Sequence, residues 1–144
     1  MGGRRKSREL ALQVLYQIDV SFDNPRYALD LFWMNFQNWE DSREFTERLV
    51  EGVCKHREEI DKTIKKYSEN WKLDRMPRVD RNVLRLAVFE IFYCHDIPFK
   101  VTINEAIDLG KKFGSEKSGS FINGILDSIS IGIYGDGTKK SDQG

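Results

Sequence analysis

Val79-Asp80-Arg81-Asn82-Val83-Leu84-Arg85-Leu86-Ala87-Val88-Phe89-Glu90-Ile91-Phe92-Tyr93-Cys94 is the stretch on which the fold turns. At about 100° per residue, its apolar side chains Val83, Leu84, Leu86, Val88, Phe89, Ile91, Phe92 and Tyr93 point almost all round a helix axis. A helix apolar on every side is buried on every side, so this segment is expected to be the central helix of the domain. Met76-Pro77 ahead of it marks a break, because proline pushes the preceding residue out of helical geometry.

Helical spacing continues in both directions. Upstream, residues 4–22 carry a stripe of Leu10, Ala11, Val14, Leu15, Ile18 and Phe22. Asn24-Pro25 reads as an N-cap followed by proline at the first helical position, opening a helix to about Gln37. Asp41 with Glu44 resembles a capping box for a third helix bearing Phe45, Leu49, Val50, Val53 and Cys54. A fourth, over 57–71, carries Ile60, Ile64, Tyr67 and Trp71. Downstream of Pro98, Thr102-Ile103-Asn104-Glu105 predicts a capped helix that ends at a left-handed Gly114. Ser115 is then expected to cap a last helix with Phe121, Ile122, Ile125, Leu126 and Ile129 inward.

The expectation is an all-α chain of about seven helices, without a convincing strand or repeat. Short connections favour antiparallel neighbours. Residues 1–134 are read as one domain, with helices over 4–56 and 57–134 as two sub-bundles. The glycine-rich, polar segment 135–144 is expected to be a disordered tail.

Composition agrees. A chain of 144 residues makes one ordinary domain, and 40% apolar residues supply a core. The 23 Lys+Arg balance 23 Asp+Glu, which argues against coating nucleic acid or membrane through bulk charge. No apolar run approaches the ~18 residues of a spanning helix, and no signal-peptide core follows the basic N-terminus; a cytoplasmic location is expected. Met1-Gly2-Gly3 faintly suggests myristoylation, but Lys6 stands where that motif wants Ser or Thr. Cys54 and Cys94 read as reduced core thiols.

Enzymatic constellations fail on inspection. Cys54/His56 and Cys94/His95 match no usual zinc spacing. Gly110 to Ser118 resembles a phosphate loop only superficially, since Glu116 precedes Lys117-Ser118 and a helix, not a strand, comes before. There is no nucleophile elbow. No catalysis, metal or cofactor is expected.

Two features resist a purely structural explanation. Arg4-Arg5-Lys6-Ser7-Arg8 places four positive charges at a helix start, where the dipole is also positive and opposes them. Such a tract with free backbone N–H groups suits phosphate oxygens; the alternative is a solvated, frayed terminus. On the same helix, Tyr16 falls nearly opposite the core stripe with Leu12 adjoining it. That pair is either a partner surface or covered by another helix of the fold.

Taken together, several motifs resemble the NusB family of bacterial transcription antitermination factors. The resemblance runs from about Arg4 to Asp127. It rests on Arg4-Arg5, Arg8-Glu9, Leu15-Tyr16, Val79-Asp80-Arg81-Asn82-Val83-Leu84-Arg85, Ile97-Pro98, Ile103-Asn104-Glu105-Ala106-Ile107, Phe113-Gly114 and Phe121-Ile122-Asn123-Gly124-Ile125-Leu126-Asp127. It implies an all-α domain of two helical bundles that binds boxA RNA together with the ribosomal protein NusE. Such proteins act with other Nus factors and RNA polymerase, chiefly on ribosomal RNA operons, and some form homodimers through the RNA-facing surface.

By matching position, Arg4, Arg5 and Arg8, with Lys6 in the same tract, are expected to hold RNA phosphates. Phe121 either stacks a base or packs in the core. Tyr16 and Asp80, with Leu12 beside Tyr16, are expected to meet NusE. Lys117 departs from the acid usual in the family, which either removes a partner contact or adds a cation for RNA. Four basic contacts to single-stranded RNA imply a log–log salt slope of roughly −3. Two other functions compete: a non-catalytic protein-binding scaffold, and an accessory like the NusB-like domains of certain ribosomal RNA methyltransferases. For the latter, the 144 residues leave no room for a methyl-donor domain.

Overall fold

A computed structural model describes residues 2–36, 40–69 and 71–134. Among them are seven α-helices, one 3-10 turn and no strand. The chain divides into two compact units, Met1–His56 and Arg57–Gly144. The expected tail over 135–144 lies outside the described residues.

In the first unit, α1 (Gly2–Ser21) packs against α2 (Pro25–Met34) and α3 (Glu40–Lys55). Leu10, Ala11, Val14, Leu15 and Ile18 of α1 are buried, as are Leu49, Val50 and Val53 of α3. Phe22 closes α1 in a left-handed conformation, φ 62°, and its N–H reaches the Ile18 carbonyl at 2.7 Å. The Asn24 side chain caps α2 by accepting from the Arg26 and Tyr27 amides at 2.8 and 3.3 Å. This helix stops at Met34, short of Gln37. Glu40 is already helical, so Asp41 sits inside α3 and does not cap it.

Glu47 ties the second helix to the third. Its Oε2 accepts from Trp33 Nε1 at 2.8 Å, Arg26 Nη2 at 2.9 Å and Arg43 Nε at 3.0 Å. These bonds, that from Arg26 foremost, hold its pKa at about 2 against the burial that pushes it up. A depressed carboxylate stabilises the fold above the unfolded value, here 4.5, and loses that contribution as pH falls through the folded one. An acid titration should therefore destabilise this unit progressively from about pH 4.5 towards pH 2. The contribution is about 1–2 kcal/mol, because both arginines face solvent. Glu47→Gln should remove this acid dependence, read from the Trp33 indole N–H resonance.

In the second unit, α4 (Arg57–Tyr67) precedes the 3-10 turn Leu73–Arg75, and α5 (Arg78–Tyr93), α6 (Phe99–Phe113) and α7 (Ser118–Tyr134) follow. Every residue of α5 from Asp80 to Ile91 is buried, consistent with an apolar residue on every side. α4 ends before Trp71. The Trp71 amide bonds to the Ser68 carbonyl at 2.9 Å and turns the chain. Met76 is extended, with ψ 146°, as the following proline requires.

Two expected helix ends differ. The first turn of α6 closes on Pro98, whose carbonyl accepts from the Val101 amide at 3.0 Å. Thr102 is therefore internal, and its hydroxyl donates to Glu90 Oε1 at 2.8 Å: the residue of the apparent capping box serves α5–α6 packing. Gly114 is extended (φ −101°, ψ −156°), not left-handed. Close approach explains it instead, since a Cβ there would collide with the Ser118 side chain and lie 2.8 Å from the Gly110 carbonyl. α7 starts at Ser118; Ser115 lies in the preceding turn and accepts from the Lys117 amide at 3.3 Å.

Candidate nucleic-acid interface

The basic tract forms the first turns of α1 and is fastened to α3. Ser7, fully buried, donates its hydroxyl to the Ser42 carbonyl at 2.8 Å. Thr46 donates to that carbonyl at 2.7 Å. Arg4, Arg5 and Lys6 stay exposed, whereas Arg8 is only 5% exposed. The Arg4 and Arg8 guanidinium carbons lie 4.5 and 5.7 Å from the centre of the Phe45 ring. The tract is thus built into a helix pair, and three of its four cations face solvent. Arg8, expected among the phosphate ligands, is largely covered.

The Leu12/Tyr16 pair splits. Tyr16 is 41% exposed, but Leu12 is 3% exposed and offers no surface. The two lie about 40° apart round the helix, and the boundary of the buried arc falls between them. Val20, one turn beyond Tyr16, is 46% exposed and extends the outward face.

In the second unit, Asp80 is 4% exposed and accepts the Ser118 hydroxyl at 2.7 Å. It ties the start of α5 to the start of α7 beneath the turn that carries Lys117. Lys117 itself is exposed. Phe121 is half-buried and meets Trp71 edge-on, with centroids 5.4 Å apart and planes at 77°. Both line a shallow cavity of about 330 Å³ that also includes Tyr67, Glu69 and Gly124. Phe121 therefore belongs to a surface aromatic pair, and the residue that sequence reasoning missed is Trp71, 53% exposed. Reading it as part of the α4 stripe hid it; its place after Tyr67-Ser68-Glu69 was the available signal.

Among the described residues, no group of three or more His, Cys, Asp or Glu is placed to hold a metal. Cys54 is half-buried, Cys94 is buried, and neither forms a disulfide. No helix among those residues is long and apolar enough to cross a membrane.

The described residues thus form an all-α protein with a cationic helix start in its first unit and an aromatic pair at the surface of its second. Residues 5–130 match the model of the NusB family. The chain belongs to the NusB family. It is 50% identical over 143 residues to the transcription antitermination protein NusB of Syntrophus aciditrophicus, covering 99% of this chain and 86% of that protein. T. maritima NusB superposes with a TM-score of 0.79 at 36% identity, over 88% of this chain and 89% of that one. A chain from the crystal structure of antitermination factors NusB and NusE in complex with dsRNA also scores 0.79, at 34% identity, over 90% and 96%.

Proposed function

We propose that this chain is a transcription antitermination factor that binds boxA-type single-stranded RNA together with NusE, supporting ribosomal RNA transcription. The observation that carries the reading is the clasped start of α1, which holds Arg4, Arg5 and Lys6 outward on one helical turn. Membership of a family whose relatives are named for antitermination supports it, as does the related complex containing NusE and dsRNA. Residues 1–134 are the working domain, Phe121 with Trp71 supplies a stacking surface, and Tyr16 and Lys117 face the protein partner. The role is non-catalytic, cytoplasmic and without a cofactor, in company with other Nus factors and RNA polymerase.

The test is a titration of labelled boxA-type RNA with the full chain, with and without NusE, by fluorescence anisotropy. Tighter binding with NusE present is expected, and single-stranded RNA should compete better than a duplex of the same sequence. Binding to NusE with no RNA affinity in either arm would leave a protein-binding scaffold in its place.

A further inference from the structure

Arg48 has no place in the basic tract, from which it is separated by 40 positions, yet it reaches the same spot. The Ser7 hydroxyl on the Ser42 carbonyl and the Thr46 hydroxyl on the Ser7 carbonyl, at 3.4 Å, lay the start of α1 against the start of α3. Phe45 thereby presents its ring to Arg4 and Arg8, one α1 turn apart. Arg48, one turn along α3, brings its guanidinium carbon to 5.9 Å from the same ring centre. Three guanidiniums thus gather within 6 Å of one phenyl centre. Each gains a modest cation–π attraction.

The ligand chemistry follows from what surrounds the ring. A surface cavity of about 610 Å³ is lined by Arg4, Ser7, Asp41, Glu44, Phe45 and Arg48. A lone anion entering it gains from the arginines but is repelled by the two carboxylates. A nucleotide of an RNA strand offers both complements: phosphate oxygens for the guanidiniums, and 2′-hydroxyl and base N–H donors for the carboxylates.

We propose that Arg48, with Arg4 at the Phe45 ring, forms a nucleotide-binding subsite that continues the basic tract from α1 onto α3. It rests on the RNA-binding reading above. Phe45 is the positioning residue, and Arg48 is the added phosphate ligand. Three exposed cations of the tract give a log–log salt slope of about −2 on single-stranded RNA, and Arg48 deepens it to about −3.

The experiment is a salt titration of the full chain against a fluorescein-labelled single-stranded RNA of boxA type. Arg48→Ala should flatten the slope by about 0.7 and weaken binding about five-fold at about 0.1 M salt. Phe45→Leu, which keeps apolar bulk in place of the ring, should flatten it similarly while the helical signal persists. Lys55→Ala makes the same charge change at an exposed position on α3 and should leave the slope as it is. A parental slope that survives Arg48→Ala, or that Lys55→Ala lowers equally, overturns the subsite and leaves the wider reading standing. Parental binding with no salt dependence removes the RNA grip and the subsite together.

Discussion

Replacing Arg4, Arg5 and Lys6 together by alanine is expected to weaken single-stranded RNA binding about 100-fold at about 0.1 M salt and to flatten the log–log slope by about 2. Each of the three cations faces solvent at the start of α1, and each phosphate neutralised on a single strand releases about 0.7 of a counterion. The variant should fold at least as well as its parent. Alanine is the better helix former, and removing positive charge from a helix N-terminus relieves repulsion with the dipole. The anchoring Ser7–Ser42 bond is untouched. Lost RNA affinity with an equal or higher melting temperature is therefore the expected pair of results. Unchanged affinity and slope in the triple variant would mean that the tract is solvated charge and nothing more.

The second large effect lies in the other unit. Arg85, its side chain 4% exposed, grips Asp61 with two parallel bonds, Nε to Oδ1 at 2.8 Å and Nη2 to Oδ2 at 3.1 Å. Its Nη1 donates to Asn82 Oδ1 at 3.2 Å. Breaking a buried pair from one side leaves the other charge poorly compensated, at a cost of about 3–5 kcal/mol. Arg57, 3.5 Å from Asp61 and partly exposed, retains some of that compensation, so the lower figure applies to Arg85→Ala. For a chain of this length the melting temperature should fall by roughly 10 °C. Arg85→Lys should recover only part of the loss, because an ammonium cannot make the two-pronged contact. Calorimetry or thermal circular dichroism decides it, and a melting temperature equal to the parent's would show the pair to be energetically idle.

Asp61 and Arg85 also mark how far the sequence could be read. Apolar residues on every side of 79–94 were enough to place α5 at the centre of the second unit, because periodicity reports burial directly. The same pattern is silent about Asp80, Arg81, Asn82, Arg85 and Glu90, all buried with it. Their partners are distant in sequence, and no spacing rule pairs Arg85 with Asp61 or Glu90 with Thr102. Thr102 is instructive: a Thr-x-x-Glu motif has the groups of a capping box, and a hydroxyl that can cap can equally cross to a neighbouring helix.

The candidate site divides in the same way. Arg4, Arg5 and Lys6 were legible as a run of cations ahead of the first acid, and Tyr16 as the residue nearly opposite the stripe. Leu12 failed because a wheel gives direction but not the width of the buried arc. Arg48 left no mark in the sequence, and Trp71 only its place after Tyr67-Ser68-Glu69. Arg48 joins Arg4 and Arg8 only when α1 meets α3, and Trp71 meets Phe121 only when the turn after α4 reaches α7.

Clasping the first turns of α1 to α3 through Ser7, Ser42 and Thr46 has a thermodynamic consequence for any ligand of that face. A basic arm that dangled would have to surrender its conformational entropy at the moment of association, with the large negative heat-capacity change of coupled folding. Here that ordering is completed when the domain folds. RNA would meet a surface already in its bound shape, so association should proceed as docking, with a small heat-capacity change and a rate set mainly by electrostatic encounter.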